Sequence, residues 1–481
     1  MQFSSLLAVS LLMLSITTKA DALHLYPITP TASTIISAEE KADLLLQAFL
    51  KKTRVAGVSV SVNRAGNLIY SKGVGYANIV EEIPMEPSSQ IRTASVAKVI
   101  TATALGKLAT DGKLDFDLAI GNYIPNLAEP YASLTTRQIA GHTAGIPHRP
   151  SSKQAMRKHY NAVQETIVFF EDTPLLFEPN TAYEYSTLGY NLLAILIEEV
   201  SGKRYEDYLQ KDVFAPLNML QTFPENIKEL HAQNASSYYI KNGQPRLDKR
   251  LVDGSYKLAG AGFRSTSADL ANMMNAYFNG FLAEDVVSNM FTTNTLANGE
   301  LTNVGIGWRL SEDFQGRPTV EHAGAWQGAR TLIAHYPDEQ LTVSIMINTK
   351  CSIFIEETAQ IIAQLFLEAQ NTPAVTGEVN TPLKVVENLF NDQDEYFTGK
   401  LIMTDEGIGE LNIEAERNWL GRNQVFYLSS SNNFVLSTTF GLLYLRLEFT
   451  PTIEGKIFLY QRLNDPHHPR GEPMLYFEQA N

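Results

Sequence analysis

The chain has 481 residues, of which 44% are hydrophobic and 19% charged, enough apolar material for more than one packed core and too much for a disordered chain. Asp plus Glu (52) outnumber Lys plus Arg (38), and the resulting formal charge of −14 argues against nucleic acid or anionic lipid as the main partner, since each demands a basic face. A single cysteine, Cys351, excludes an intramolecular disulfide and every multi-cysteine zinc or iron–sulfur site.

Leu6 to Ile16 is an apolar run too short to span a bilayer as a helix. Ala20-Asp21-Ala22 follows, the small-x-small pattern of a signal-peptidase site. Residues 1–22 are therefore expected to be a signal peptide cleaved near Ala22, giving a secreted or periplasmic protein. No later stretch is apolar enough to anchor the chain in a membrane.

Ala38 to Lys52 carries apolar positions at helical spacing behind a Ser37 N-cap. Val55 to Asn63 and Asn67 to Gly75 alternate like two strands joined around Arg64-Ala65-Gly66. Ser95 to Thr110 reads as a helix that is apolar almost all round, hence buried at a domain centre. Leu188 to Val200 is a second strong helix, closed by Ser201-Gly202. Thr331 to Asn348 returns to strand alternation with a turn at Tyr336-Pro337-Asp338. Strands at both ends with helices between predict an α/β unit whose sheet gathers N-terminal and C-terminal strands.

Residues 371–382 are polar, carry two prolines and are expected to be a linker. Beyond them short strands are predicted at Tyr396–Thr404, Gly409–Ala415, Gln424–Leu428, Leu442–Phe449 and Lys456–Leu463. Leu443, Leu445, Leu447 and Phe449 alternate with Tyr444, Arg446 and Glu448, as in a sheet wet on one face. Residues 383–481 are expected to form a small all-β domain, a barrel or sandwich.

Three groups of residues carry chemistry. Ser95 and Lys98 stand three apart on a helix, so the Ser95 hydroxyl and the Lys98 amine share a face. Ser95 at the helix N-terminus would lie where free N–H groups favour an oxyanion. A buried Lys98 would have a lowered pKa and could take the serine proton. Tyr185-Ser186-Thr187 precedes the second helix, and a phenol beside a serine–lysine pair can relay a proton. Tyr183 and Tyr190 are close by, and spacing alone does not choose among the three. His322-Ala323-Gly324 lies between strand-like segments. An edge strand there could offer the Ala325 N–H as an oxyanion donor, with Gly324 allowing close approach. Taken alone, His322 is equally a histidine in a hairpin. His142 and His148 bracket Gly145-Ile-Pro147 without an acidic ligand at metal spacing and are expected to be structural, and Cys351 is expected to be a small buried side chain.

Ser95-x-x-Lys98, Tyr185-Ser-Thr and His322-Ala-Gly324 occur in the order seen in the penicillin-recognising serine hydrolases, the class C β-lactamase, D,D-peptidase and esterase group, whose relatives carry S-x-x-K. Leu134 to Pro147, with His142-Thr-Ala-Gly145 at its centre, resembles that family's LLxHTSGLP segment. Ala259 to Leu270 resembles its GGxxSTxxDL segment. Within the group, Tyr-Ser-Thr together with Val252-Asp-Gly-Ser-Tyr-Lys257 is most similar to the mitochondrial β-lactamase-like serine proteases. The resemblance covers about Ala38 to Ala369. It implies a serine β-lactamase/D,D-peptidase-like fold, a mixed sheet with a helical subdomain, over residues 23–370, and it places a lipocalin-like β domain behind it in some members.

The resemblance further implies that Ser95 is the nucleophile, Lys98 its base and Tyr185 the proton relay. His322 would stabilise charge near a carboxylate or the Tyr185 oxygen, and the amides of Ser95 and Ala325 would form the oxyanion hole. Thr187 and Gly324 would touch substrate, and neither a metal nor an organic cofactor is needed. Thr187 stands where the family usually has Asn, and His322 begins a motif that is Lys-Thr-Gly in true β-lactamases. Lacking an amide, Thr187 cannot offer a paired donor and acceptor to a β-lactam side chain, so at most weak β-lactamase activity is expected. The expected activity is acyl transfer from peptides or peptidoglycan stem peptides through a Ser acyl-enzyme. The alternatives are an esterase on small acyl esters and, outside enzymes, a catalytically idle scaffold or binding protein.

Overall fold

The computed structural model describes residues 37–171, 173–228, 233–313, 316–351 and 355–367, together with eight C-terminal strands within residues 381–479. The leader, most of the expected linker and the turns between the C-terminal strands lie outside the described residues.

The first helix, α1 (Ala38–Thr53), starts where the sequence places it. Ser37 Oγ accepts from Glu40 N while the Glu40 carboxylate accepts from Ser37 N at 2.8 Å, a complete capping box. β1 (Gly57–Arg64) and β2 (Asn67–Asn78) follow as a hairpin, with a short β3 (Ile83–Pro84) beyond. After a long helical region the chain returns as β4 (Arg309–Glu312), β5 (Pro318–Trp326), β6 (Ala329–Tyr336) and β7 (Leu341–Ile347). These seven strands form one sheet in the order β3-β2-β1-β7-β6-β5-β4, each neighbour antiparallel. The N-terminal and C-terminal strands thus meet at the β1–β7 pair, as the sequence predicts.

The two faces of the sheet differ. Val58, Val60 and Val62 of β1 point to one side, where they share a core with Leu45, Leu46 and Phe49 of α1 and with Ile355, Ile361 and Ile362 of α4 (Ile355–Leu367). Ser59 and Ser61 point to the other, where both hydroxyls bond Ser267 Oγ at 2.8 Å. That second face carries the helical subdomain, built around α2 (Ala97–Thr110) and α3 (Gly189–Ser201). From Ala97 to Leu108, every α2 residue except Lys107 is buried, which explains its all-round apolar pattern. Gly202 ends α3 in a left-handed conformation at φ 67°.

In the C-terminal region, β8 (Thr381–Asn388), β9 (Phe397–Met403), β10 (Ile408–Ala415), β11 (Gln424–Leu428), β12 (Asn433–Ser437), β13 (Leu443–Phe449), β14 (Gly455–Gln461) and β15 (Pro473–Gln479) pair in sequence order into a closed barrel. β8, β12 and β15 are strands the pattern analysis did not mark, and β8 begins inside the segment read as linker.

Candidate active site

Ser95 sits on a tightly held turn. Ile91–Arg92 pair with Phe263–Ser265, and Thr93 N donates to Phe263 O at 2.9 Å. Ala94 then takes a left-handed conformation at φ 46°, and Ala94–Val96 form a 3₁₀ turn leading into α2. A residue with a Cβ in that region costs about 1–2 kcal/mol. The strain falls on the residue before the serine, and the turn re-aims the chain so that Ser95 faces a cavity. The helix begins at Ala97 rather than at Ser95, so the serine stands on the turn ahead of it.

Lys98 lies one step further along and is fully buried. Its Nζ donates to Gly260 O at 2.9 Å and to Thr187 Oγ1 at 3.1 Å, and stands 4.8 Å from the centre of the Tyr185 ring. Burial holds the ammonium pKa well below its ordinary value. A neutral amine has two N–H bonds and one lone pair. The two acceptors use the N–H bonds, which leaves the lone pair to accept a proton. Of the three candidate tyrosines, Tyr185 is the one that lines the cavity with Ser95 and whose phenol is influenced by that serine. Its pKa is pushed up to about 12 by burial, against the opposing influence of Ser95 and of Arg309. The phenol therefore stays protonated, which suits a proton donor.

Two histidines hold this tyrosine segment. Ser186 N donates to His142 Nδ1 at 3.1 Å, and Thr187 N donates to His148 Nδ1 at 3.3 Å. The rings lie 4.5 Å and 5.6 Å from the Tyr185 ring. An imidazolium has no lone pair at Nδ1, so both rings must be neutral for these bonds to exist. Burial and the nearby Lys98 push both in that direction, His142 well below the usual value and His148 to about 4. The expectation of a structural role for the pair is met, and the role has a definite target, the Tyr185 motif.

The third motif lies within a strand rather than between two. β5 runs unbroken through His322 to Trp326, but β4 covers only Pro318 to Glu321, so the edge beyond is open. Trp326 and Ala329 flank a two-residue turn and so form a hydrogen-bonded pair, which turns the Trp326 N–H toward β6 and the Ala325 N–H toward the open edge. Gly324 is pressed against the serine turn: a Cβ there would lie 2.6 Å from Thr93 O and 2.9 Å from Ser95 N. His322 is buried beside Tyr185, with ring centres 6.3 Å apart. Its Nδ1–H donates to Ala323 O at 2.9 Å, which leaves Nε2 as an acceptor. Burial, then Arg309, Lys98 and His142, hold its pKa well below the usual value. The ring is a neutral acceptor, and Arg309 is the cation whose field reaches both His322 and Tyr185.

Ser95, Tyr185, Thr187, Gly324 and Ala325 all line one cavity of about 860 Å³, with Lys98 buried beneath its floor. Sequence reasoning missed three contributors. Gly260 supplies the carbonyl that orients Lys98, and a Cβ there would lie 2.7 Å from Thr187 Cγ2; its place in the glycine-rich segment was the available signal. Arg309 comes from β4, distant in sequence and without a motif. Cys351 is half-buried and lines the cavity, where a fully buried side chain was expected. Among the described residues no cluster of His, Cys, Asp and Glu could hold a metal ion, and no helix is long and apolar enough to cross a membrane.

Residues 42–364 match the family profile described as Beta-lactamase. The chain belongs to the beta-lactamase family. This is a family of serine hydrolases whose members include penicillin-binding proteins, and membership is what the motif resemblance implied. The human serine beta-lactamase-like protein LACTB, mitochondrial, is 29% identical over 325 residues, covering 53% of this chain and 59% of that protein. The chain thus spans less than two thirds of the length of this relative and its mouse and bovine counterparts. Penicillin-binding protein 4* of Bacillus subtilis is 26% identical and covers 83% of this chain and 87% of its own. Among solved structures, the octameric penicillin-binding protein homologue from Pyrococcus abyssi aligns with a TM-score of 0.60 at 20% identity, over 91% of this chain and 99% of that one. The D-amino acid amidase from Ochrobactrum anthropi aligns at 0.56 and 23% identity, over 64% of this chain and 91% of that one. Both likenesses are of fold.

Proposed function

We propose that this family member is an exported hydrolase that cleaves peptides or peptidoglycan stem peptides through an acyl-enzyme on Ser95. The observation that carries the reading is a buried, doubly hydrogen-bonded Lys98 beneath one cavity that Ser95 and Tyr185 both line. Lys98 Nζ takes the Ser95 proton while Oγ attacks the substrate carbonyl. The N–H groups of Ser95 and Ala325 receive the oxyanion. Tyr185 gives its proton to the leaving nitrogen as the C–N bond breaks, and Lys98 ammonium restores it. Water then enters, surrenders a proton to the same base and releases the acid. His322, neutral and accepting at Nε2, and Arg309 set the field around the Tyr185 oxygen. Export rests on the apolar Leu6–Ile16 run and the Ala20-Asp21-Ala22 site.

Intact-mass spectrometry after incubation with a fluorophosphonate, and separately with penicillin, tests this. One fluorophosphonate adduct that vanishes in Ser95→Ala is expected, and a lasting penicilloyl adduct would favour stem peptides. Hydrolysis of a nitrophenyl ester without any peptide cleavage would replace the peptidase reading by an esterase. No adduct on folded protein would leave the idle scaffold.

A further inference from the structure

The cavity is basic in an acidic protein. Arg149, Lys153, Arg157, Lys257, Arg309 and Arg330 line it against a single carboxylate, Glu356, while the whole chain carries −14. The cations fall into two groups. Arg309 and Arg330 are already compensated, lying 3.6 Å and 4.0 Å from Glu356. Among the described residues no carboxylate pairs with Arg149, Lys153, Arg157 or Lys257. Unpaired cations facing a cavity are what an anionic ligand needs.

Lys257 is the one of these four that is held in a built position. Its Nζ lies 3.8 Å from the centre of the Trp326 ring, and the Arg92 guanidinium carbon lies 4.3 Å from the same ring. Arg92 is locked in turn by the buried Glu225, with Nε to Oε1 and Nη2 to Oε2 both at 2.7 Å. Gln327 fixes the loop that carries Lys257: its amide donates to Asp248 Oδ2 at 2.8 Å and accepts from Val252 N at 2.7 Å. Gly254 completes the fit, since a Cβ there would lie 3.0 Å from the Trp326 ring.

β5 orders the site from end to end. His322 lies beside the proton-donating Tyr185, Gly324 lies against Ser95, and Trp326 lies beyond them with Lys257 on its face. The leaving group belongs at the Tyr185 end, so the acyl portion of a substrate extends toward Trp326. We propose that Lys257, with Arg149 beside it, is a subsite for a carboxylate on the acyl portion of the substrate, so that the enzyme prefers acidic acyl groups to neutral ones of equal length. This rests on the serine-hydrolase reading above. Burial, together with the charges of Arg149 and Arg92, pushes the Lys257 pKa down to about 7. A bound carboxylate would relieve that repulsion.

The test compares the 4-nitrophenyl half-ester of adipic acid with 4-nitrophenyl hexanoate, which has the same carbon chain and no charge. The intact enzyme should show kcat/KM for the adipate ester about tenfold or more above that for the hexanoate. The ratio should fall toward one in Lys257→Met and in Arg149→Gln, and toward one with salt near 1 M, where the Debye length is about 3 Å. Arg149 is exposed, so its variant decides the matter should Lys257→Met fail to fold. Equal or lower activity on the adipate ester, a ratio that both folded variants retain, or a fluorophosphonate adduct without adipate hydrolysis would overturn the subsite alone. Absence of any fluorophosphonate adduct would overturn the serine-hydrolase reading with it.

Discussion

At the scale of single residues, Gly324 against the serine turn and Gly260 against Lys98 carry constraints that no side chain could meet. Gly260 lets its own carbonyl reach Lys98, and a Cβ there would lie 2.9 Å from Thr187 O and 3.5 Å from Lys98 Nζ. Gly260→Ala should therefore cost activity by displacing Thr187 or the amine, with kcat falling more than KM rises; an unaffected kcat in steady-state assays would count against this. Tyr185→Phe keeps the ring packing and removes only the proton, so kcat/KM should drop by roughly 10²-fold or more while thermal stability changes little. A drop of only a few-fold would mean another group protonates the leaving atom. Ser95 and Lys98 were legible through the order of the family's motifs, since Ser95 stands on the turn ahead of α2 and helical spacing alone does not place it. The neutrality of His322 was not, because it depends on burial and on Arg309, which arrives from a strand more than a hundred residues away from Tyr185.

At the scale of elements, the Tyr185 segment is held by lone pairs on two rings. His142 and His148 are neutral in the fold, and an unfolded histidine titrates near 6.5. Their folded pKa values lie below that, His148 at about 4. Below pH 6.5 or so the unfolded chain binds protons that the fold refuses, so stability is present above that pH and is lost as pH falls through the window to about 4. Thermal denaturation scans should show the midpoint falling from pH 7 to about pH 5, with His148→Gln flattening the drop. A midpoint that holds or rises over that window would contradict the account. A second element-scale prediction concerns α1: Ser37→Ala removes half of the capping box and should cost about 1 kcal/mol in chemical denaturation; no loss would show that the cap is dispensable. The pattern analysis found α1, α2 and α3 because each has a clear period or cap. It placed His322-Ala-Gly324 between strand-like segments rather than inside one, since His-Ala-Gly-Ala has little strand propensity and the extension is imposed by packing against the serine turn. It also passed over the hairpin Tyr238–Lys241 and Gln244–Leu247, although Asn242-Gly243, both at positive φ, is the strongest short hairpin signal.

At the scale of the whole molecule, strand alternation near both ends of residues 38–369 was enough to predict a sheet that joins N-terminal and C-terminal strands. Net charge misled in one respect. A chain at −14 gives no hint of a basic cavity, because the cations of Arg149, Lys257 and Arg309 are brought together only by the tertiary fold. The same fold buries Glu225 between Arg92 and Arg264, at 2.7 Å and 2.8 Å, under the platform that carries Trp326. Glu225→Ala would strand two buried guanidinium groups and should cost about 3–5 kcal/mol of stability, read by denaturant unfolding; a loss below 1 kcal/mol would show that water readily replaces the carboxylate.

The central claim is that a buried, neutral Lys98 activates Ser95, and the pH dependence of the fluorophosphonate labelling rate tests it most directly. The account predicts a rate that rises with pH along a limb whose midpoint lies well below the ordinary lysine value, and that loses this limb in Lys98→Met. A limb at the ordinary lysine value, or a profile that Lys98→Met leaves intact, would contradict it.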